Sequence, residues 1–521
     1  MKQSKNLNKL KPSLIYITAF LTGAAVLIIE VIATRILSPY FGMTLFSVSG
    51  ILSVILASLS LGYWQGGKLA DQYPKRQTLY TVIFLSGLTT LLIQIGRSVI
   101  LPQWGEKMDV MLGPLFSSMM LFFIPTLFLG MVSPIAIRLA TERVQQVGQV
   151  AGKVFFFGTL GSIIGSLSAG FILIPKLPIS WIIIGTGLLL MIIGLLGASR
   201  KVLTKIPLFL GLIVITLTLS TNNLSHDPNL IYEEDSSYQH IKVLRWNFED
   251  GEGRLLKLDR SHSGAIYLNS KDLPFAYTRY YRLYKLTNKD AQKFLFLGSG
   301  AYAPPQKLLS ERKDAIEVDV VDIDPRLPEI AKKFFGFTDD KRMNLITADA
   351  RDYLTKSSRK YDVIAIDVYM DIAIPTHLAT KEFFNIVNQH LNKRGMMVMN
   401  VIANIEPTSP SLGNSIIKTF REIFKNGEVL AFRPKELGRI QNILLWGVND
   451  DEWQLSLSDP SIIDAESEEI KSIGKYRVSE EEIQGAKGII LTDDYAPIDF
   501  LAAKMLNMTN QRFIEGNGKE D

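Results

Sequence analysis

Apolar positions along this chain follow two regimes. Up to residue 219 they come in long blocks; from His226 onward they are interrupted by Lys, Arg, Asp and Glu every few residues. A bilayer core about 30 Å thick needs roughly 20 apolar residues per helical crossing. The blocks at 14–32, 46–63, 79–95, 115–132, 154–174 and 181–196 therefore predict six membrane-crossing helices. A seventh block, 207–219, is short for a crossing. Basic residues recur on alternate sides: Lys2, Lys5, Lys9 and Lys11, then Lys68, Lys75 and Arg76, then Arg138, Arg143 and Lys153, then Arg200, Lys201 and Lys205. The positive-inside rule assigns these segments to the cytoplasmic side. A full seventh crossing puts the following residues outside the cell, and a half-inserted one leaves them inside. Gly161, Gly165 and Gly170, with Ser162 and Ser166, form small-residue faces suited to close helix contact. Glu30 and Arg35 are costly in lipid and are expected to face the bundle, with mutual neutralisation favoured over a cation path.

Beyond residue 226 the periodicity shortens. Residues 238–244 and 254–258, with Gly251 and Gly253 at the turn between them, predict a small antiparallel sheet. From Lys293 onward, short apolar runs alternate with helical patterns: 294–297, 318–321, 344–347, 363–366 and 396–401. That alternation predicts an α/β domain with a parallel doubly wound sheet. The expected organisation is a transmembrane helical bundle over 1–222, a small β domain over 226–283, an α/β domain over 284–505 and a polar tail over 506–521.

Composition narrows the chemistry. The formal charge is +5 over 521 residues, with no basic tract suited to nucleic acid. There is no cysteine, which excludes disulfides, thiolate metal sites and cysteine nucleophiles. The five histidines show no ligand spacing, so no metal is expected, and His377 is read as structural or near a site mouth. The N-terminal apolar block contains Glu30 and Arg35 and does not read as a cleaved signal.

Parallel sheets bind ligands at the carboxyl ends of their strands. The first four α/β strands run into Gly298-Ser299-Gly300, Asp322, Asp349 and Asp367. Gly298 and Gly300 would let a ligand approach the backbone. Asp322 stands where a carboxylate takes ribose hydroxyls, Asp349 where the adenine amino group would lie, and Asp367 beside the reacting group. The third glycine of a dinucleotide fingerprint and a phosphate-binding Lys motif are both missing. The pattern therefore favours a nucleoside without phosphates, such as S-adenosylmethionine or a relative. Each Asp taken alone is also a good helix N-cap.

The ordered stretches EEDSSYQHIKV (233–243), AYTRYYRLYKL (276–286), FLFLGSGAYAPP (294–305), VDVVDIDP (318–325), ITADARDYL (346–354), YDVIAIDVYMDIAIPTHLATKEFF (361–384), RGMMVMNVIAN (394–404) and LTDDYAPIDF (491–500) resemble the spermidine synthase (polyamine aminopropyltransferase) family. With IEVIATRILSPYFG (29–42), the whole chain resembles its membrane-fused branch. The resemblance implies a Rossmann-like, class I methyltransferase-type fold and multi-pass residence in the cell membrane. The implied co-substrate is decarboxylated S-adenosylmethionine, with no separate cofactor. Putrescine or a related amine is the implied acceptor, and a homo-oligomer is compatible with it. Gln239, Gly298, Gly300, Asp322, Asp349 and Ala350 would bind the donor, and Asp367 would accept the proton. Tyr277, Tyr369, Asp371 and Asp494 would form the acceptor side, with Asp493 beside Asp494 as further negative charge. The family's acid after the first strand is replaced here by Ala301, and Arg279 stands where a cation would be repelled. A methyltransferase acting on a membrane-associated substrate and a non-catalytic transporter or sensor are the competing readings.

Overall fold

The computed structural model describes residues 12–141, 143–196, 227–369, 373–407, 409–458, 462 and 467–515. The chain divides into two compact units, Met1–Asp227 and Pro228–Asp521.

The first unit is helical. Its main helices are α1 (Pro12–Phe41), α2 (Leu45–Gln72), α3 (Arg76–Ile95), α4 (Gly113–Ala140), α5 (Val147–Ser168) and α6 (Ile179–Leu195). Against six expected crossings, five helices among the described residues are long and apolar enough to cross a membrane by length and composition, counting the continuation of α3 to Trp104. The sixth, α6, is apolar but has only 17 residues. The 207–219 block lies outside the described residues. Glu30 and Arg35 are both half-buried on α1.

Close packing of small residues brings these apolar helices together. The expected small-residue face on α5 does this against α1. A Cβ on Gly161 would lie 1.9 Å from the Phe20 carbonyl oxygen, and one on Gly165 2.4 Å from that of Ala24. The Ser162 hydroxyl donates to the Gly23 carbonyl across the same seam at 3.0 Å. Gly62 and Gly66 play the equivalent part against α4, as do Gly87 on α3 and Gly187 on α6 against each other.

The second unit opens with an antiparallel sheet in the order β1 (Leu230–Asp235), β2 (His240–Phe248), β3 (Gly251–Leu258) and β4 (Ser261–Tyr267). The β2–β3 turn falls at Glu249 and Asp250, so Gly251 and Gly253 lie inside β3 rather than at the turn. A 3₁₀ segment, Ala276–Leu283, leads into the α/β domain. There β5 (Lys293–Leu297), β6 (Glu317–Asp322), β7 (Met343–Thr347), β8 (Tyr361–Ile366) and β9 (Leu391–Ala403) pair in parallel, as expected.

The sheet is not wholly parallel. Two further strands, β10 (Glu428–Ala431) and β11 (Gln441–Val448), extend it in the order β10-β11-β9-β8-β5-β6-β7, with β11 antiparallel to both neighbours. The link 432–440 is too short to carry a crossover helix, so β11 returns beside β10 in the reverse direction. Side-chain alternation along β5 feeds two cores: Leu295 and Leu297 face one side, Phe294 and Phe296 the other. The first core is closed by α9 (Ala350–Lys356), α10 (Lys381–Gln389), α11 (Leu412–Ile423) and α12 (Ile498–Glu515) through Leu354, Phe384, Phe420 and Leu501. The second is closed by α7 (Ala303–Glu311), α8 (Leu327–Phe334), the 3₁₀ segment and Ile241, Val243 and Leu256 of the small sheet. Residues 506–515, read as the start of a polar tail, continue α12.

Replacing Gly161 with Val forces α1 and α5 apart, and overpacking of this kind costs about 1–3 kcal/mol. The expected result is a lower midpoint in thermal denaturation of the detergent-purified chain. Gly152→Ala, on the same helix with no neighbour within 4 Å, should leave that midpoint unchanged.

Candidate active site

The parallel strands β5, β6, β7 and β8 deliver Gly298, Asp322, Asp349 and Asp367 to one edge of the sheet. Gly298 and Gly300 have φ of 71° and 49°, in the left-handed region that favours glycine. Their space is taken by the chain itself. A Cβ on Gly298 would sit 2.3 Å from the Asp367 carbonyl oxygen, and one on Gly300 1.9 Å from the Ser263 carbonyl oxygen on β4. The glycines thus seat the loop between β8 and the small sheet, and both also line the larger of the cavities described below.

Asp367 is held on both oxygens. Asn400, in the middle of β9, donates to one at 2.9 Å, and the Tyr277 hydroxyl donates to the other at 3.2 Å. Asn442 on β11 donates to the Asn400 side-chain oxygen at 3.0 Å, which fixes the amide with its NH₂ toward Asp367. Burial pushes the Asp367 carboxyl up to about 6, with the Asn400 and Tyr277 hydrogen bonds pulling against it. Burial and the neighbouring Asp367 charge raise the Tyr277 hydroxyl well above its usual range, so it stays a donor. The Tyr369 hydroxyl is pinned to β9, accepting from the Ile402 amide and lying 3.4 Å from the Asn400 carbonyl.

Asp322 is also raised to about 6, chiefly by burial. Its oxygens accept the Asp324 amide at 3.1 Å and, more distantly, the Ser299 amide at 3.5 Å. Asp324 is the buried organiser beside it. It accepts from the Ser236 hydroxyl at 2.6 Å and the Gln239 amide at 3.2 Å, tying the β1–β2 turn to the end of β6. Asp349 is the N-cap of α9, accepting the Arg351 and Asp352 amides at 2.9 and 3.0 Å. His377 Nε2 lies 2.9 Å from its other oxygen. Burial alone would raise this carboxyl, but the Asp352 amide, His377 and the Arg351 amide outweigh burial and lower it.

These residues line two cavities that meet at Asp367. The larger, about 870 Å³ including its open mouth, is lined by Gln239, Gly298, Gly300, Asp322, Asp349, Ala350, Tyr369 and His377. The second, about 640 Å³, runs along the sheet face beneath β4 and is lined mainly by apolar side chains with Tyr277 and Thr278. Ser263, Tyr277, Gly298, Ser299, Asp367 and Asn400 belong to both. Asp371 lies outside the described residues. Asp494 is exposed and lines neither cavity. Asp493 is committed elsewhere, paired with Arg351 and accepting from Thr380 at 2.8 Å. Arg279 does not oppose a cation here: its guanidinium turns to the Leu273 carbonyl and lines neither cavity. Asn400, Asn442, Asp324 and Ser299 were not picked out from the sequence. Only Asn400 carried a signal, as a lone amide inside the apolar run of β9.

Residues 309–438 match the family model described as "Spermine/spermidine synthase domain". The polyamine aminopropyltransferase of Vibrio vulnificus is 30% identical over 219 residues, covering 40% of this chain and 69% of that protein. The chain belongs to the spermine/spermidine synthase family. Among other family members, the polyamine aminopropyltransferase of Oceanobacillus iheyensis is 25% identical over 438 residues, 74% of this chain and 80% of its own length. The probable polyamine aminopropyl transferase of Bifidobacterium longum is 29% identical over 212 residues, 39% of this chain and only 44% of that protein's own length. A crystal structure of a probable spermidine synthase from Corynebacterium glutamicum aligns with a TM-score of 0.42 at 20% identity, covering 52% of this chain and 97% of that one.

Removing the Asp349 cap by Asp349→Ala should cost about 1 kcal/mol, read as a lowered thermal midpoint at neutral pH. The carboxyl is held below its ordinary value of 3.8. Its contribution is therefore present above that pH and is lost as pH falls through the folded value, so wild type and variant should converge in acid.

Proposed function

We propose that this chain is a membrane-anchored aminopropyltransferase. It moves the aminopropyl group of decarboxylated S-adenosylmethionine to putrescine or a related amine, and Asp367 accepts the proton. The observation that carries the reading is Asp367 itself: a half-buried carboxylate at the meeting point of two cavities, oriented by Asn400 and Tyr277. The named activity of the relatives and the five apolar helices support transfer chemistry and anchoring respectively.

The nucleoside of the donor fits the larger cavity. Asp322 faces the ribose hydroxyls, with Asp349, Ala350 and Gln239 around the remainder. An acceptor amine has a pKa near 10, so at neutral pH only about one molecule in a thousand carries a free lone pair. With a pKa of about 6, Asp367 is ionised at neutral pH. It draws the ammonium into place and takes one N–H proton, which then passes to water. The amine lone pair forms the new C–N bond at the aminopropyl carbon. The C–S bond breaks with its electrons going to sulfur, so neutral methylthioadenosine leaves. Holding the two reactants in line in adjoining cavities supplies much of the acceleration.

Asp367→Asn should lower kcat by about 10²–10⁴-fold with donor binding retained, measured as methylthioadenosine release and by calorimetric titration. At saturating substrates, kcat should fall below about pH 6 as Asp367 takes a proton. The Tyr277 hydrogen bond favours the ionised form, so Tyr277→Phe should move that fall to higher pH. A pH-independent kcat down to pH 5, or release of a methylated product from intact S-adenosylmethionine, would remove the reading.

A further inference from the structure

The two oxygens of Asp367 have different partners. Oδ1 accepts from the Asn400 side-chain amide at 2.9 Å, and Oδ2 accepts from the Tyr277 hydroxyl at 3.2 Å. Behind Asn400 stands Asn442, whose amide donates to the Asn400 side-chain oxygen at 3.0 Å. Register brings the two amides together. Leu444 pairs with Asn400 across the β9–β11 ladder, and Asn442, two residues from Leu444, is the diagonal neighbour on the same face. Asn400 lines both cavities, and Asn442 lines neither.

The direction of this chain of hydrogen bonds follows from the carboxylate. An ionised carboxylate only accepts, whereas a side-chain amide has a donor end and an acceptor end. Asn400 must therefore give its NH₂ to Oδ1. Its oxygen then faces Asn442, and Asn442 must donate. A proton arriving on Oδ1 would meet the Asn400 NH₂ donor to donor, and relief would need both amides to turn over. A proton arriving on Oδ2 meets a hydroxyl, which both donates and accepts and has only to rotate. Among the described residues, the titratable side chains that feel the Asp367 charge are Tyr277 and Tyr369, and burial keeps both hydroxyls protonated.

We propose that Asn442 selects the oxygen of Asp367 that serves as the base. By holding Asn400 as a donor it reserves Oδ1 as a hydrogen-bond acceptor, so the proton of the acceptor amine is received on Oδ2, beside Tyr277. Asn442 is thus a positioning residue that lies outside both cavities. This rests on the aminopropyl-transfer reading and adds to it how the base is oriented.

The full chain in detergent is assayed for methylthioadenosine release as a function of pH, at saturating decarboxylated S-adenosylmethionine and putrescine. Asn442→Leu removes the lock without adding charge, so Asn400 is free to turn and Oδ1 can take the proton. Asn442→Asp inverts the lock: a carboxylate at this position only accepts, so Asn400 gives it the NH₂ and turns its own oxygen toward Oδ1. The acid fall of kcat should move to higher pH in both variants. The move is larger in Asn442→Asp, by about one pH unit or more, which is about tenfold in kcat on the acid side. Donor affinity by calorimetric titration should be unchanged, because Asn442 lines neither cavity.

A shift in Asn442→Asp with none in Asn442→Leu is the work of added charge alone and overturns the inference. Loss of donor binding in the variants marks Asn442 as structural and overturns it as well. An acid fall that neither variant moves overturns it and leaves Asp367 standing as the base. A wild-type kcat with no acid fall removes the base reading, and the inference with it.

Discussion

Residues 298–300 are wedged between two backbone carbonyl oxygens, that of Asp367 just past β8 and that of Ser263 on β4. Neither approach leaves room for a Cβ, and both glycines use left-handed φ values. This double contact brings the small antiparallel sheet against the carboxyl edge of the large one, so the walls of both cavities are drawn from both sheets. Gln239, Ser263 and Gly264 come from the small sheet and its turn; Asp322, Asp367 and Asn400 come from the large one. The buried Asp324, holding Ser236 and Gln239, is a second clasp across the same junction.

Within that frame, three strand-end carboxylates have been given different electrostatic surroundings. Asp349 has two helix amides and an imidazole, and its charge is favoured. Asp322 and Asp367 are half-buried, the loss of solvent outweighs their hydrogen-bond donors, and both sit near 6. A carboxylate in that range is ionised at neutral pH yet basic enough to receive a proton, which a fully satisfied cap is not. The Asn442–Asn400–Asp367 chain shows how such a group is kept oriented: each amide is fixed by the next residue along the strand order.

The helical unit relies on a different force. Its seams are lined by glycine and serine, so backbones touch and dispersion between close surfaces holds the helices together. The same residue, glycine, serves both units, as a means of close helix packing in one and as a left-handed hinge against a carbonyl in the other.

Much of this was readable from residue order. Block length separated the apolar helices from the α/β part, and the parallel strands β5–β9 followed from short apolar runs, because strands buried on both faces carry continuous hydrophobic sequence. The placement of Asp322, Asp349 and Asp367 at one edge followed from their positions at strand ends. Tertiary structure decided the rest. The antiparallel β10 and β11 depend on a return across the sheet that no local pattern announces. The partners of Asp367 come from Tyr277 and Asn400, far from it in sequence, and only sheet order makes them neighbours. Asp493 and Arg279, plausible as acceptor-site charges, are drawn off by Arg351 and by the Leu273 carbonyl. Residue order determines which groups can ionise or hydrogen-bond. Which of them are left free for a ligand depends on what the fold has already paired and buried.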